Sequence, residues 1–344
     1  MSRWAAVLAG GSGTRFWPLS TPDKPKQFQP LAGDKPLLVQ AVNRLDGLID
    51  PRRIMIVTGT GFCERTRDLL PQIPTNNVMG EPRAASTAAA LTWASHRARQ
   101  EDNQASVLSV HADWFVGDDA AFRACADTAL SVAELHDTLV TVGIPPTRPD
   151  VGYGYILPGD RLDDHARRVA HFVEKPGRSV AERLIKRGAL WNCGMFAWTA
   201  ERFFRETAAH APEIAPHIEQ LEAGSVDQFF ARVTPIAVDK SHLERSTRVA
   251  VVPGTFPWDD VGTWNALSRV LPLDDQGNVK ADTVIFNEAT NCVVWPDGER
   301  VALYRVSDLI VARANGVTLV TTREGAADLK RLVEGLPVDW QAAS

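Results

Sequence analysis

Apolar residues fall in short runs over the first 142 positions: WAAVL at 4–8, IMIV at 54–57, SVLSV at 106–110 and TLVTV at 138–142. Each run has the length of a buried strand. Between them, 84–100 and 118–136 place apolar residues at steps of three and four, which predicts amphipathic helices. Alternating strands and helices form a mostly parallel sheet covered on both faces, and such sheets take ligands at the carboxyl ends of their strands.

Past residue 143 the order loosens. GYGYILPG (152–159) and RRVAHFVEKPG (167–177) predict two strands joined by a polar loop, 178–187 a helix, CGMFAW (193–198) a strand, and 201–222 one longer helix. TRVAVVP (247–253) is a late strand, and PWDDVGTW (257–264) turns out of it towards a helix that begins near 262 or 263. The polar, turn-rich LDDQGNVK (273–280) marks a domain boundary. Beyond it, short apolar runs separated by Asn, Asp and Gly predict a compact β unit, closed by a helix at 326–334. The expectation is an α/β domain over 1–272 and a small β-rich domain over 273–344.

Composition narrows the function without naming it. A 44% hydrophobic fraction, 23% charged residues and a net charge of −5 are those of a globular protein, and the absence of a basic run argues against nucleic-acid binding. Cys63, Cys125, Cys193 and Cys292 show no C-x-x-C spacing, so neither a zinc knuckle nor a redox dithiol is expected. The apolar start, MSRWAAVLAGG, is too short for a secretory leader, and no run approaches the ~18 apolar residues of a membrane span. A cytoplasmic protein with no membrane partner is the expectation.

Chemistry concentrates in a few stretches. In LAGGSGTR (8–15), Gly10, Gly11 and Gly13 let successive N–H groups approach an anion, and Arg15 adds a permanently charged fork. The spacing is neither a Walker A loop nor G-x-G-x-x-G, and an unliganded strand-to-helix turn is the plain alternative. Lys26 in KPKQF (24–28) is a second cation for phosphate, or else a solvated surface lysine. Asp113 follows an apolar strand, where a carboxylate suits magnesium; Asp259 and Asp260 follow another, with a helix cap as the competing role of Asp260. Glu174, Lys175 and Asn192 sit beside glycine or proline at strand edges, suited to sugar hydroxyls and a phosphate, or else ordinary surface and turn positions. Cys193 has no activating base, which argues against a thiol nucleophile.

Taken in order, LAGGSGTRFWPLS, KPKQF, GIPPTRPDVGYGYI, FVEKP, LWNCGMFAW and WDDVGTW resemble the sugar-nucleotide pyrophosphorylases, and among them the mannose-1-phosphate guanylyltransferases in their short form. The resemblance spans 8–264, and the tail is similar to that family's small left-handed β-helix domain. It implies a Rossmann-like nucleotidyltransferase domain that moves GMP from GTP to α-D-mannose 1-phosphate, giving GDP-mannose and pyrophosphate with Mg²⁺. It implies that Leu8, Ala9, Gly10, Gly11, Ser12, Gly13, Thr14 and Arg15 hold the nucleotide together with Lys26, Asp113, Glu81, Ser86 and Thr87. Arg15, Lys26, Asp113 and Asp260 are then the catalytic set, Asp113 and Asp260 the metal ligands, and Gly154, Glu174, Lys175, Asn192 and Asp260 the sugar-phosphate pocket. A homodimer with contacts through the tail is also expected.

The sequence departs from the family at two places. GEPRAASTAAA (80–90) has Ala85 and Ser86 where the family carries Arg-Asn, and Ala89 where it carries Pro. HADW (111–114) stands for P-[SA]-D-H. Two other readings therefore stay beside the first: a nucleotidyltransferase for another sugar 1-phosphate or nucleotide, and a catalytically silent regulatory protein that binds a GDP-sugar.

Overall fold

The computed structural model describes residues 1–341 apart from Ser12. Along the chain its strands are β1 (Arg3–Leu8), β2 (Ile54–Gly59), β3 (Val78–Glu81), β4 (Ser106–His111), β5 (Phe115–Val116), β6 (Leu139–Ile144), β7 (Gly154–Arg161) and β8 (Arg167–Val173). There follow β9 (Leu190–Thr199), β10 (Val249–Pro253), β11 (Trp258–Asp259), β12 (Val284–Asn287), β13 (Val293–Trp295), β14 (Val301–Tyr304), β15 (Leu309–Ala314) and β16 (Val317–Thr322). The chain packs as two compact units. The first is Met1–Gly10, Ala41–His111 and Asp118–Phe256; the second is Gly11–Gln40, Ala112–Gly117 and Pro257–Ser344.

A nine-stranded mixed sheet in the order β3-β2-β1-β4-β9-β6-β10-β8-β7 forms the first unit. The early apolar runs became strands of one sense: β1 pairs in parallel with both β2 and β4, and β2 with β3. β9 runs against β4 and β6, and β8 against β10 and β7, so these two strands oppose the rest. Helices Ser86–Glu101 and Asp119–His136 form where the periodicity placed them. The first packs Ala88, Ala89, Leu91, Ala94 and Ala98 into a core with Phe196, Trp198 and Phe203. Its small side chains let the helix approach the sheet closely.

The region 201–222 differs from its prediction. The helix expected over 201–222 is broken into Ala200–His210, a single 3₁₀ turn at Ala215–His217 and Ile218–Glu222. Pro212 and Pro216 supply the physical reason, since neither can donate to a helical ladder.

The second unit gathers three sequence-distant segments. Phe16, Trp17, Leu31 and Leu37 share a core with Val261, Trp264, Val293, Ile310, Leu319 and Leu329. Trp264 Nε1 donates to the Trp17 carbonyl at 3.0 Å, and the Phe16 and Trp264 rings meet edge to face at 5.1 Å. A linear boundary after residue 272 and this division therefore differ over 11–40, 112–117 and 257–272. In the tail, β12 pairs with β14 and β13 with β15 in parallel, the β-helix-like arrangement, while β16 returns antiparallel to β15.

Candidate active site

Residues predicted to carry chemistry are brought together in two groups, one in each unit. Within the second unit, the Gly-rich loop closes on Lys26. Gly13 has φ of 61°, and a Cβ there would stand 2.6 Å from the Lys26 backbone nitrogen, so both the turn and the close approach require glycine. Lys26 opens a 3₁₀ turn, Lys26–Phe28, and is itself buried. A buried ammonium needs partners: its Nζ donates to Asp113 Oδ2 at 3.0 Å and to the Asp260 carbonyl at 2.6 Å. Lys26 is thus a fixed charge joining the segments that bear the two acids, not a solvated surface lysine. Arg15 is exposed, and Ser12 lies outside the described residues.

The adjacent acids of the WDDVGTW stretch have different surroundings. Asp259 is 5% exposed and accepts from Arg269 Nε and Nη2, at 2.5 and 2.8 Å, and from Val261 N at 2.9 Å. It is an anchor. Val261, fully buried, sits at φ 44°, a left-handed conformation costly for a β-branched residue and held by that packing. Asp260 is half-buried, and its carboxylate lies over Gly262, where a Cβ would meet Oδ2 at 2.6 Å. The turn Trp264–Ala266 starts from Thr263, which makes no side-chain cap bond.

Asp113 and Asp260 contribute hard carboxylate oxygens, the donors that magnesium takes in ones and twos beside phosphate and water. Gly262, with no Cβ, lets the Asp260 carboxylate lie close over the backbone, and the chemistry of this donor set fits a hard divalent cation. Among the described residues no group of three or more His, Cys, Asp or Glu forms an all-protein metal cage.

In the first unit, Ala9 N donates to Val57 O at 2.8 Å and Thr58 Oγ1 to Ala9 O at 3.1 Å, which fixes the chain leaving β1. Glu81 ends β3, and its Oε2 lies 3.8 Å from where a Gly10 Cβ would be. Burial pushes the Glu81 carboxyl up to about 7. Ser86 is exposed with φ of 64°, and the Thr87 hydroxyl accepts from Val238 N at 2.9 Å. Arg83, which carries no signal in the sequence, donates to the Phe230 and Val233 carbonyls at 2.6 and 2.7 Å and so ties this loop down.

The sugar-phosphate candidates also converge. Gly154 starts β7 directly beneath Glu174, whose Oε2 would stand 2.6 Å from a Cβ. Lys175, exposed and with φ of 49°, pairs with Glu174 Oε1 at 2.9 Å. Asn192 is almost fully used by the protein: its Oδ1 accepts from Thr141 Oγ1 and Gly194 N, each at 3.1 Å, and its Nδ2 donates to Asp239 Oδ1 at 2.6 Å. Asn192 therefore positions Asp239, a residue the sequence motifs do not include. Burial first, and then the Glu174 charge, raise the Asp239 carboxyl to about 6. Nothing in AVDKSHL singles it out; it heads a π-helical turn, Asp239–Leu243, and meets Asn192 only through the fold. Cys193 is buried, and burial pushes its thiol far above the usual range.

The chain belongs to the nucleotidyl transferase family, whose model matches residues 4–276. Within that family it is similar to mannose-1-phosphate guanylyltransferase of Klebsiella pneumoniae, 33% identical with 96% of this chain and 73% of the relative covered. The enzyme of the same name from Escherichia coli K12 is 34% identical, with 98% and 74% covered. A solved structure from Thermus thermophilus, described as a mannose-1-phosphate geranyltransferase, is 35% identical with a TM-score of 0.91, covering 97% of this chain and 99% of that one. Nucleotidyltransferases of this kind generally use a divalent metal ion.

Proposed function

We propose that this chain transfers GMP from GTP to α-D-mannose 1-phosphate, releasing pyrophosphate and forming GDP-mannose, in the cytoplasm. The observation that carries the reading is the Lys26 ammonium bonded to both acid-bearing segments beneath a Gly-rich loop, on a chain related over nearly its whole length to guanylyltransferases of that substrate.

A sugar-phosphate oxygen attacks the α-phosphorus in line; the bond from that phosphorus to the bridging oxygen of the β-phosphate breaks, and the electron pair leaves with pyrophosphate. The nucleophile is already ionised, so no general base is needed. Catalysis is then positioning and charge stabilisation. Arg15 and Lys26 offset charge on the departing pyrophosphate, and the N–H groups of Gly10, Gly11 and Gly13 cradle the triphosphate. Glu81 accepts from the guanine edge. Lys175 holds the sugar phosphate, with Glu174 and Asp239 as acceptors for sugar hydroxyls and Asn192 holding Asp239 in place. Asp113 and Asp260 would hold Mg²⁺, which supplies Lewis-acid neutralisation of phosphate charge.

The test crosses four nucleoside triphosphates with a panel of hexose 1-phosphates and reads pyrophosphate release. GTP with mannose 1-phosphate should exceed every other pair, chelation with EDTA should abolish the signal, and added Mg²⁺ should restore it. A different preferred base or sugar would redirect the reading to that substrate. The expected homodimer is tested by light scattering, which should give twice the chain mass.

A further inference from the structure

A cavity of about 80 Å³ lies in the first unit at the amino ends of β6 and β10, lined in part by His136, Thr138, Leu162, Arg168, Arg248 and Ala250. The residues assigned to catalysis follow the carboxyl ends of the strands. β6 has six residues, so at roughly 3.3 Å per residue the two ends are some 20 Å apart. The cavity is therefore separate from the sugar-phosphate group of this unit.

Its walls are cationic and rigid. Arg168 and Ala250 are direct cross-strand partners, so both project on one face of the sheet, and the small Ala250 leaves the space beside the arginine open. His136 closes helix Asp119–His136, and its Nε2 lies 2.6 Å from Asp163 Oδ2, which clamps the β7–β8 connection to the helix end. Thr138 Oγ1 donates to the Arg248 carbonyl at 2.7 Å and fixes the start of β10.

The neighbouring acids are already engaged. Asp163 Oδ1 accepts from the His165 and Ala166 nitrogens, and its other oxygen faces His136. Asp137, past the helix end, is bound by Arg202 and has Arg205 at 3.7 Å; Arg248 acts on it only as a more distant charge. Among the described residues Arg168 and Arg248 form no ion pair. Two arginines without an ion pair thus line a polar cavity with room for about two to three waters, or one tetrahedral oxyanion. Guanidinium forks match phosphate oxygens in geometry and in charge.

We propose that this cavity is a second anion site that binds a phosphate group, either free orthophosphate or the head of a small phosphate ester, away from the reaction centre. Arg168 and Arg248 are the primary contacts, and His136 and Thr138 shape the floor.

The test is calorimetric titration of orthophosphate, and separately of glycerol phosphate, into the wild-type chain and into the R168Q/R248Q variant. The wild type should bind one more equivalent than the variant, or bind roughly tenfold or more tightly at that site. The KM values for both substrates should be unchanged, because neither arginine is assigned to catalysis. Tighter binding of orthophosphate would make the occupant the free ion, and tighter binding of the ester its head group; both support the site. Equal stoichiometry and affinity in the two proteins would overturn it and leave the arginines as charges facing a helix carboxyl end. Both side chains are exposed, so the single variants R168Q and R248Q repeat the comparison if the double variant does not fold.

Discussion

Asp259 and Asp260 are adjacent in sequence and opposite in surroundings, which separates their roles experimentally. Asp259→Ala strips a buried carboxylate from Arg269, and thermal denaturation should show a clear loss of stability, about 1–3 kcal/mol. Asp260 is less buried than Asp259 and holds Lys26 through its backbone carbonyl, which Asp260→Ala retains, so the midpoint should move less than in Asp259→Ala while turnover falls roughly a thousandfold. Equal effects of the two substitutions on stability would contradict this division. Glu81 gives a pH signature. Its carboxyl is raised to about 7 by burial, so the form that accepts from guanine is populated as pH rises through neutrality. The KM for GTP should fall between pH 6 and pH 8, and Glu81→Gln should flatten that dependence. A wild-type KM constant over the range would remove Glu81 from base recognition.

The π-helical turn Asp239–Leu243 joins the site to the core of its unit. Asp239 meets Asn192, while three residues on His242 is fully buried between Thr207 and Ser241, 2.8 and 2.7 Å away, and stacks on Phe203. Burial lowers the His242 imidazole to about 3, well below the 6.5 of an exposed ring. Its contribution to stability is therefore complete above about pH 6.5, and it fades as pH falls towards 3, because the unfolded chain takes up the proton first. The melting temperature should drop between pH 7 and pH 5, and less steeply in His242→Gln; parallel slopes would show that other groups govern the acid limb. The sequence did not reveal this turn. Strands such as β1, β2, β4 and β6 were legible because an unbroken apolar run of that length has little else to become. Asp239 was not, because its meaning depends on Asn192, forty-seven positions earlier and joined to it only by the fold. Gly13 and Lys26 lay between these cases: the loop and the cation were visible, but their close approach and the bonds of Lys26 to Asp113 and Asp260 were not. The break in 201–222 could have been read from Pro212 and Pro216, which outweigh helical periodicity.

Across the whole chain, the segments bearing Gly13, Lys26, Asp113 and Asp260 belong to the unit that also contains the β-helix-like tail. Phe16, Trp17 and Trp264 pack with Val293, Ile310 and Leu319, and Arg323 bonds to Asn265 and Ser268. A chain ended after residue 272 should therefore lose both solubility and turnover, which is measured by expressing residues 1–272. An active, soluble fragment would show that the catalytic segments hold their shape without the tail. Trp264→Ala should cost about 3–5 kcal/mol by opening the same core. Among the described residues no helix is long and apolar enough to cross a membrane. Isotopic labelling shows which phosphorus is attacked. With GTP labelled at the α-phosphorus and mannose 1-phosphate, the purified chain should place all of the label in GDP-mannose and none in pyrophosphate. Label released as phosphate or pyrophosphate, or tight GDP-mannose binding without any transfer, would rule out attack at the α-phosphorus by this chain.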